Sequence, residues 1–295
     1  MSIIVNVPTL NNRCWDFDWL FQLWSQLDDD GLQVQFDFSR CGFLRQNAVA
    51  FLGGLVRSIQ HRRGAVLIDW NSIQRDVAKN LARNGFMQSF GGPASAWSGN
   101  SVPFREDRVP NNQGVIDYLG RMWLGQGWVH VSNKLRDAIV GCVWEIYENA
   151  FEHAFEPGKP NIGIFSCGQH FPRQQTLDLT VLDFGVGIPS NVRIFSRDPN
   201  YPAHKALQWA FSPGTTTKPN GMGRGMGLDL LKRFIKLNKG RLEVFSHEGY
   251  AVISENEESF GTRSIYYEGT LMSIRLVCDE SFYKLQSEVD EGPIF

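Results

Sequence analysis

No stretch of the 295-residue chain approaches the roughly 18 consecutive apolar residues that a membrane-spanning helix requires. The opening residues, MSIIVNVPTLNN, lack a basic segment and a long apolar core, so no signal peptide is expected. Cysteine is sparse and unpatterned: Cys14, Cys41, Cys142, Cys167 and Cys278 are odd in number and form no CxxC pair. That removes a disulfide framework and a cysteine-rich metal site, and predicts reduced thiols in the cytoplasm. Surplus charge is missing too, with 29 basic against 31 acidic residues and a net charge of −2. Nothing global therefore argues for nucleic acid, although a local patch stays open. No GxxxxGK[ST] loop occurs anywhere, which excludes the Walker type of phosphate site. No internal repeat or low-complexity tract is evident. The chain is long enough for two domains with cores of their own, and its 42% hydrophobic and 20% charged residues are those of an ordinary globular protein.

What is present centres on one helix, expected from about Asn133 to Ala154. Leu135, Ile139, Cys142, Ile146 and Ala150 recur at three- and four-residue steps and make one apolar stripe. Glu145, Asn149, Glu152 and His153 recur at the same steps on another stripe, where two carboxylates, an amide and an imidazole line up. A solvated polar face accounts for Glu152. Glu145 with Asn149 points to chemistry, because of the motifs that follow.

Upstream, Ile3–Val7, Leu32–Phe38 and Ala65–Trp70 read as short strands bounded by turn signals. Helical patterns lie between and after them, at Asp16–Leu27, Phe43–Ile59 and Asp76–Asn84, the last closed by Gly85. Such alternation predicts a small α/β unit. The stretch FDFSRCGFLRQNAVAFLGGLVRSIQHRRGAVLIDW, followed by VAKNLARNGF, resembles the STAS domains of anti-sigma-factor antagonists over about sixty residues. Those antagonists carry a phosphorylatable serine where the long helix starts. The matching run here, Leu44-Arg45-Gln46-Asn47-Ala48, has no hydroxyl, so the resemblance implies the fold without the phospho-switch; a generic α/β packing unit is the alternative. Residues 88–114 are rich in Gly, Pro, Ser and Asn, and a domain boundary is expected near Gly91 to Asn100. Val102–Arg105 is a candidate edge strand, and Val115–Trp123 a short helix.

Downstream, the alternating run Leu177–Leu182 ends in Asp183-Phe-Gly185-Val-Gly187-Ile188-Pro189. A strand ending in a carboxylate and two glycines places an acceptor where backbone can approach a ligand closely. A dinucleotide fingerprint fails, since its acid should follow the glycines and Pro189 stands where a helix would begin; a tight turn is the bland alternative. A long segment from Ser190 to Asn220 shows few periodic signals and several cations, as functional loops do. It leads to Gly221-Met-Gly223-Arg224-Gly225-Met226-Gly227-Leu228, where glycines at alternate positions feed a helix N-terminus, a favourable site for phosphate. Arg241–Ser246, Tyr250–Ser254 and Leu271–Val277 read as further strands, with Gly269-Thr270 just before the last.

Glu145-x-x-x-Asn149, Asp183-x-Gly185-x-Gly187 and Gly223-x-Gly225-x-Gly227, in that order, resemble the ATP-binding domain of the GHKL superfamily, which includes gyrase, heat-shock chaperones, histidine kinases and mismatch-repair ATPases. The resemblance covers about 130–278. It implies a two-layer α/β (Bergerat) sandwich with a mixed sheet on one side, helices on the other, and ATP between. The expected organisation is a STAS-like domain at 1–95, a linker and edge strand at 96–114, the GHKL domain at 115–280 and a tail at 281–295.

The resemblance also implies roles. Asn149 would bind Mg²⁺, and Glu145 would orient or deprotonate the attacking water in a hydrolytic member. Asp183 would accept from the adenine amino group, with Gly185, Gly187 and Ile188 closing over the base and Thr270 near it. Gly223, Gly225 and Gly227, with Leu228 at the helix start, would cradle the phosphates. Residues 190–222 would form the ATP lid, with Lys218 or Arg224 as the cation on the γ-phosphate and Met222 and Met226 packed beneath it. For His153, a site role and a structural polar contact stay equally open. Three activities fit: an ATPase whose hydrolysis controls a protein partner, an anti-sigma-type serine/threonine kinase acting on a STAS partner, and a nucleotide-gated scaffold. Stress signalling and phage defence are both compatible, and a homodimer stays open. A classical histidine kinase fits least, since no helical hairpin with a phosphoacceptor histidine precedes the domain; nor does a gyrase-type transducer follow it.

Overall fold

The computed structural model describes residues 2–154, 162–215 and 227–290. The chain opens with β1 (Ser2–Asn6), α1 (Cys14–Gln26), β2 (Gln33–Asp37), α2 (Gln46–His61), β3 (Ala65–Asp69), α3 (Arg75–Arg83) and α4 (Phe86–Ser89). The three strands form a parallel sheet in the order β1-β2-β3, with Val5, Phe36 and Ile68 in register. These three side chains are buried, whereas Ile4 and Leu67, one position back on their strands, are exposed. The period-two alternation thus sends one face toward the helices. Gly85 ends α3 in the left-handed conformation, at φ +82°, and α4 follows at once.

Helix α2 is buried around nearly its whole circumference from Gln46 to Val56, the mark of a helix packed on two sides. One side meets the parallel sheet. The other lies on a second sheet through Phe165, Leu182 and Leu271, and α1 packs beside it against Phe245 and Tyr267. Gly53 and Gly54 permit this approach: a Cβ on Gly53 would stand 2.5 Å from the Phe104 ring, and one on Gly54 would collide with Phe184. The first unit and the second sheet therefore share one continuous core. A buried ion cluster pins the same interface, with Arg45 donating to Asp178 at 2.8 Å and Arg275 donating to both Asp178 oxygens at 2.9 Å.

The second sheet is built from β4 (Ser101–Asp107), β5 (Ile164–Phe171), β6 (Thr176–Asp183), β7 (Arg241–Ser254) and β8 (Glu258–Val277), in the order β4-β5-β6-β8-β7. Its four pairings are antiparallel, and the parallel pairings lie in the first sheet. Between β4 and β5 come α5 (Asn112–Asp117), a π-helical turn (Tyr118–Trp123) and the long α6 (Asn133–Ala154), whose first turn is capped by Ser132 accepting from Leu135 N–H at 3.1 Å. The stripe Leu135, Ile139, Cys142, Ile146 and Ala150 is buried against the face of the sheet opposite α2. Then α7 (Gly187–Ser196), α8 (Ala203–Ala210) and α9 (Gly227–Leu237) add to this helical layer, and α10 (Gln286–Asp290) closes the described chain. The order of layers is sheet, helices, sheet, helices. No helix among the described residues is long and apolar enough to cross a membrane.

Several elements differ from the sequence expectation. Pro189 does not bar a helix: it occupies the first turn of α7, where its missing N–H has no intrahelical partner to lose. The segment from residue 190 onward, expected as a loop with few periodic signals, carries most of α7 and all of α8. It is anchored on the core through Val192, Ala203, Ala206, Leu207 and Phe211, while residues 194–200 are exposed. Its helical signal, Ala203, Ala206, Leu207 and Ala210, is short and small-residue-rich. Strand β5 carried no expectation, and the last two strands are much longer than their apolar runs because they continue as a hairpin.

Candidate functional site

Asp183 stands at the end of β6, in register with Thr270 of β8, which is in turn in register with Ser246 of β7. Antiparallel pairing brings these three residues, far apart in sequence, into one row. All three are buried. Asp183 Oδ1 accepts from the Gly185 N–H at 2.8 Å, which curls the chain into a tight turn after the strand. Burial lifts the Asp183 carboxyl from 3.8 to about 7, against the pull of the Gly185 and Thr270 backbone donors. A carboxylate held this close to neutrality gains most from a ligand that brings it a further donor.

The turn is fastened to β7. Ser246 Oγ accepts from the Ile188 N–H at 3.0 Å and donates to the Gly269 carbonyl at 2.9 Å, with Thr270 Oγ1 at 3.2 Å. Gly187 has φ +73°, and a Cβ there would stand 2.6 Å from Ser246 Oγ and run into the Glu268 carbonyl. Gly269 is equally constrained, since a Cβ would collide with the Asp183 carbonyl. Gly187 requires glycine both by conformation and by space, and Gly269 by space. From behind, Tyr267 donates its hydroxyl to the Asp183 carbonyl and stacks on Phe21 of α1 at 4.8 Å between centroids. Phe184 packs on Phe51 of α2 at 5.5 Å.

At the other end of the site, α6 presents Glu145 and, one turn later, the exposed Asn149. Glu145 lies against Gly227, the first residue of α9, so closely that a side chain on Gly227 would collide with its carboxylate. The expected water-activating group and the N-terminus of the expected phosphate helix are thus neighbours, with the positive end of the helix dipole beside them. Ile188 and Leu228 are partly buried on the core beneath α6, so each backs the site with apolar surface. Lys218, Gly223, Arg224, Gly225 and Met226 lie outside the described residues, as do Met222 and the side chain of His153. Sequence reasoning missed Ser246 and His247: within a strand pattern nothing marks them, and only the pairing of β7 with β8 brings them to the turn.

Residues 135–276 match the model of the family described as histidine kinase-, DNA gyrase B- and HSP90-like ATPase. This stretch is a GHKL-type ATPase domain. The match begins inside α6 and leaves the three-stranded unit outside it. A search of curated proteins found no match to the chain.

Proposed function

We propose that the protein binds ATP with Mg²⁺ and hydrolyses it slowly, coupling turnover to the control of a protein partner. The observation that carries this reading is Asp183: a buried carboxylate, raised to about 7, in register with Thr270 beside two glycines that leave no room for a side chain. An adenine amino group is the donor such a site would take, and the flat base is what the glycine-lined turn would admit. The N-terminus of α9 at Gly227 would meet the phosphates. Asn149 offers a hard amide oxygen on an exposed helix face, a donor that fits Mg²⁺. When bound, the ion would neutralise phosphate charge. Glu145, one turn away beside the α9 N-terminus, would hold and deprotonate a water. The free cysteines agree with a cytoplasmic location.

The kinase reading draws on the N-terminal unit, whose parallel strands and long α2 agree with the STAS-like pattern. That unit does not supply its own phosphoacceptor: Leu44 to Ala48 contain no hydroxyl, and all five residues are buried at the start of α2. It would serve as a fixed platform, and an acceptor serine would have to come from another chain. Incubation with γ-labelled ATP and Mg²⁺, alone and with cell lysate, separates the readings. Free phosphate that disappears in Glu145→Ala is the expected result. Acid-stable label on a lysate protein would favour the kinase instead, and tight binding with neither product would favour a scaffold.

A further inference from the structure

Ser246 and His247 are consecutive residues of β7, yet both bond to the same turn. In a regular strand successive side chains point to opposite faces. Here the register between β7 and β8 slips on both sides of His247, and His247 itself has φ +54°, in the left-handed region that non-glycine residues seldom adopt. The bulge re-aims His247 so that it joins Ser246 on the side of Gly185–Ile188. Bulges of this kind gather beside functional sites.

The bonding of His247 specifies its protonation state. Nε2 lies 2.8 Å from the Val186 carbonyl, which can only accept, so Nε2 carries the hydrogen. Nδ1 lies 3.0 Å from Arg193 Nη1, which can only donate, so Nδ1 is a bare acceptor. Ser190 Oγ stands 3.4 Å from Nε2. A neutral imidazole meets both demands. A second proton on Nδ1 would place donor against donor and positive charge against the guanidinium. The ring is buried and packs on Tyr266 at 4.9 Å. The side chains facing it are Arg193 and Ser190 from α7, Glu248 from β7, and Tyr266 and Glu268 from β8, with Arg193 also held by Glu248 at 3.3 Å and by the Tyr201 carbonyl at 2.9 Å. A Cβ on Gly187 would stand 2.9 Å from the ring, so the imidazole directly backs the glycine that the base would approach.

We propose that His247, as a neutral imidazole bridging Arg193 to the Val186 carbonyl, is a positioning residue that fixes the turn 185–188 for adenine. The proposal rests on the ATP-binding reading of the site. Ser246 holds the turn by its Ile188 amide and His247 by its Val186 carbonyl; together they hold the two successive peptide units on either side of Gly187. Protonation at Nδ1 leaves the Nε2–H donor in place but turns the Arg193 contact from a hydrogen bond into a repulsion, which pushes the ring from its seat against the turn. Burial keeps the imidazole below its ordinary value, with the Arg193 charge acting the same way, while the Val186 carbonyl and the Glu248 and Glu268 carboxylates pull it up. At neutral pH the turn is therefore set, and acid loosens it.

The test measures Mg-ATP affinity of the full chain by calorimetry from about pH 8 to about pH 5, for wild type, His247→Gln and His247→Phe. Glutamine supplies both a donor and an acceptor but no titrating proton; phenylalanine keeps the ring and loses both bonds. The expected result at about pH 8 is His247→Gln within about threefold of wild type and His247→Phe weaker by about tenfold or more. On the acid side, wild-type affinity should fall with one more proton per site than that of His247→Gln, read as a difference in which the nucleotide's and Asp183's own titrations cancel. Equal affinity of His247→Phe and wild type overturns the proposal, and so does an unchanged proton count in His247→Gln, a readout that stands even where His247→Phe fails to fold. Wild-type protein that binds no ATP overturns the reading of the site itself, a distinct failure.

Discussion

Asp183 faces two opposed demands, and its protonation records both. Its folded value of about 7 lies above the ordinary carboxylate value of 3.8 because burial penalises the charge. Between those values the native state holds more protons than the unfolded chain. The contribution of this group to stability therefore grows as pH falls from about 7 toward 4, and is lost as pH rises through 7. Adenine affinity should run the other way, because an ionised acceptor binds the amino group more strongly. Affinity measured in wild type should fall as pH drops through about 7. Asp183→Asn should be weaker at pH 8 by about 1.5–3 kcal/mol, the usual worth of a charge-assisted bond. Unchanged affinity in Asp183→Asn would remove adenine recognition from that residue. Glu145 makes a separable prediction. Glu145→Ala should bind Mg-ATP nearly as well as wild type and lose turnover by about a hundredfold or more, and surviving turnover would assign the water to another group.

At the scale of elements, α2 supports the site from a distance. Gly54 lets Phe184 lie against the helix backbone, and Phe184 sits between Asp183 and Gly185. Gly54→Ala forces that ring to shift within a packed core. Overpacking of this kind costs about 1–3 kcal/mol, which should lower the thermal midpoint by several degrees. Because the displaced ring adjoins Asp183, ATP affinity of the folded variant should fall as well. An unchanged affinity with a lowered midpoint would show that the α2 contact is structural only.

The whole molecule holds together through a shared core rather than through two separable ones. Phe165, Leu182, Phe245, Tyr267 and Leu271 face α1 and α2, and they would be left in water if residues 1–95 were removed. The excised ATPase stretch should aggregate, and the full chain should unfold in one cooperative transition by calorimetry. Two well-separated transitions would show that the halves fold apart. Asp178 makes the same point electrostatically. It is 1% exposed and neutralises both Arg45 and Arg275, so Asp178→Ala leaves two cations facing each other at the interface. Removing one partner from such a buried cluster costs about 3–5 kcal/mol, measurable as a fall in the denaturation midpoint.

The sequence by itself determined what depends on near neighbours along the chain. The period of α6 is written in Leu135, Ile139, Cys142 and Ile146, and the end of β6 in Asp183-x-Gly185-x-Gly187, because helix periodicity and turn chemistry act over a few residues. The early strands and helices were legible for the same reason, and so were Glu145 and Asn149 on one helix face. Tertiary structure alone decided what depends on pairing. It set Thr270 and Ser246 beside Asp183, because antiparallel register is fixed by contacts between distant segments. It turned His247 to the side of Ser246 through a bulge that no local pattern announces. It also laid α2 on the second sheet, where hydrophobic burial is shared between units that lie on either side of the Gly- and Ser-rich stretch around residues 88–114. Apolar side chains specify that they will be buried, but only the assembled fold decides against what.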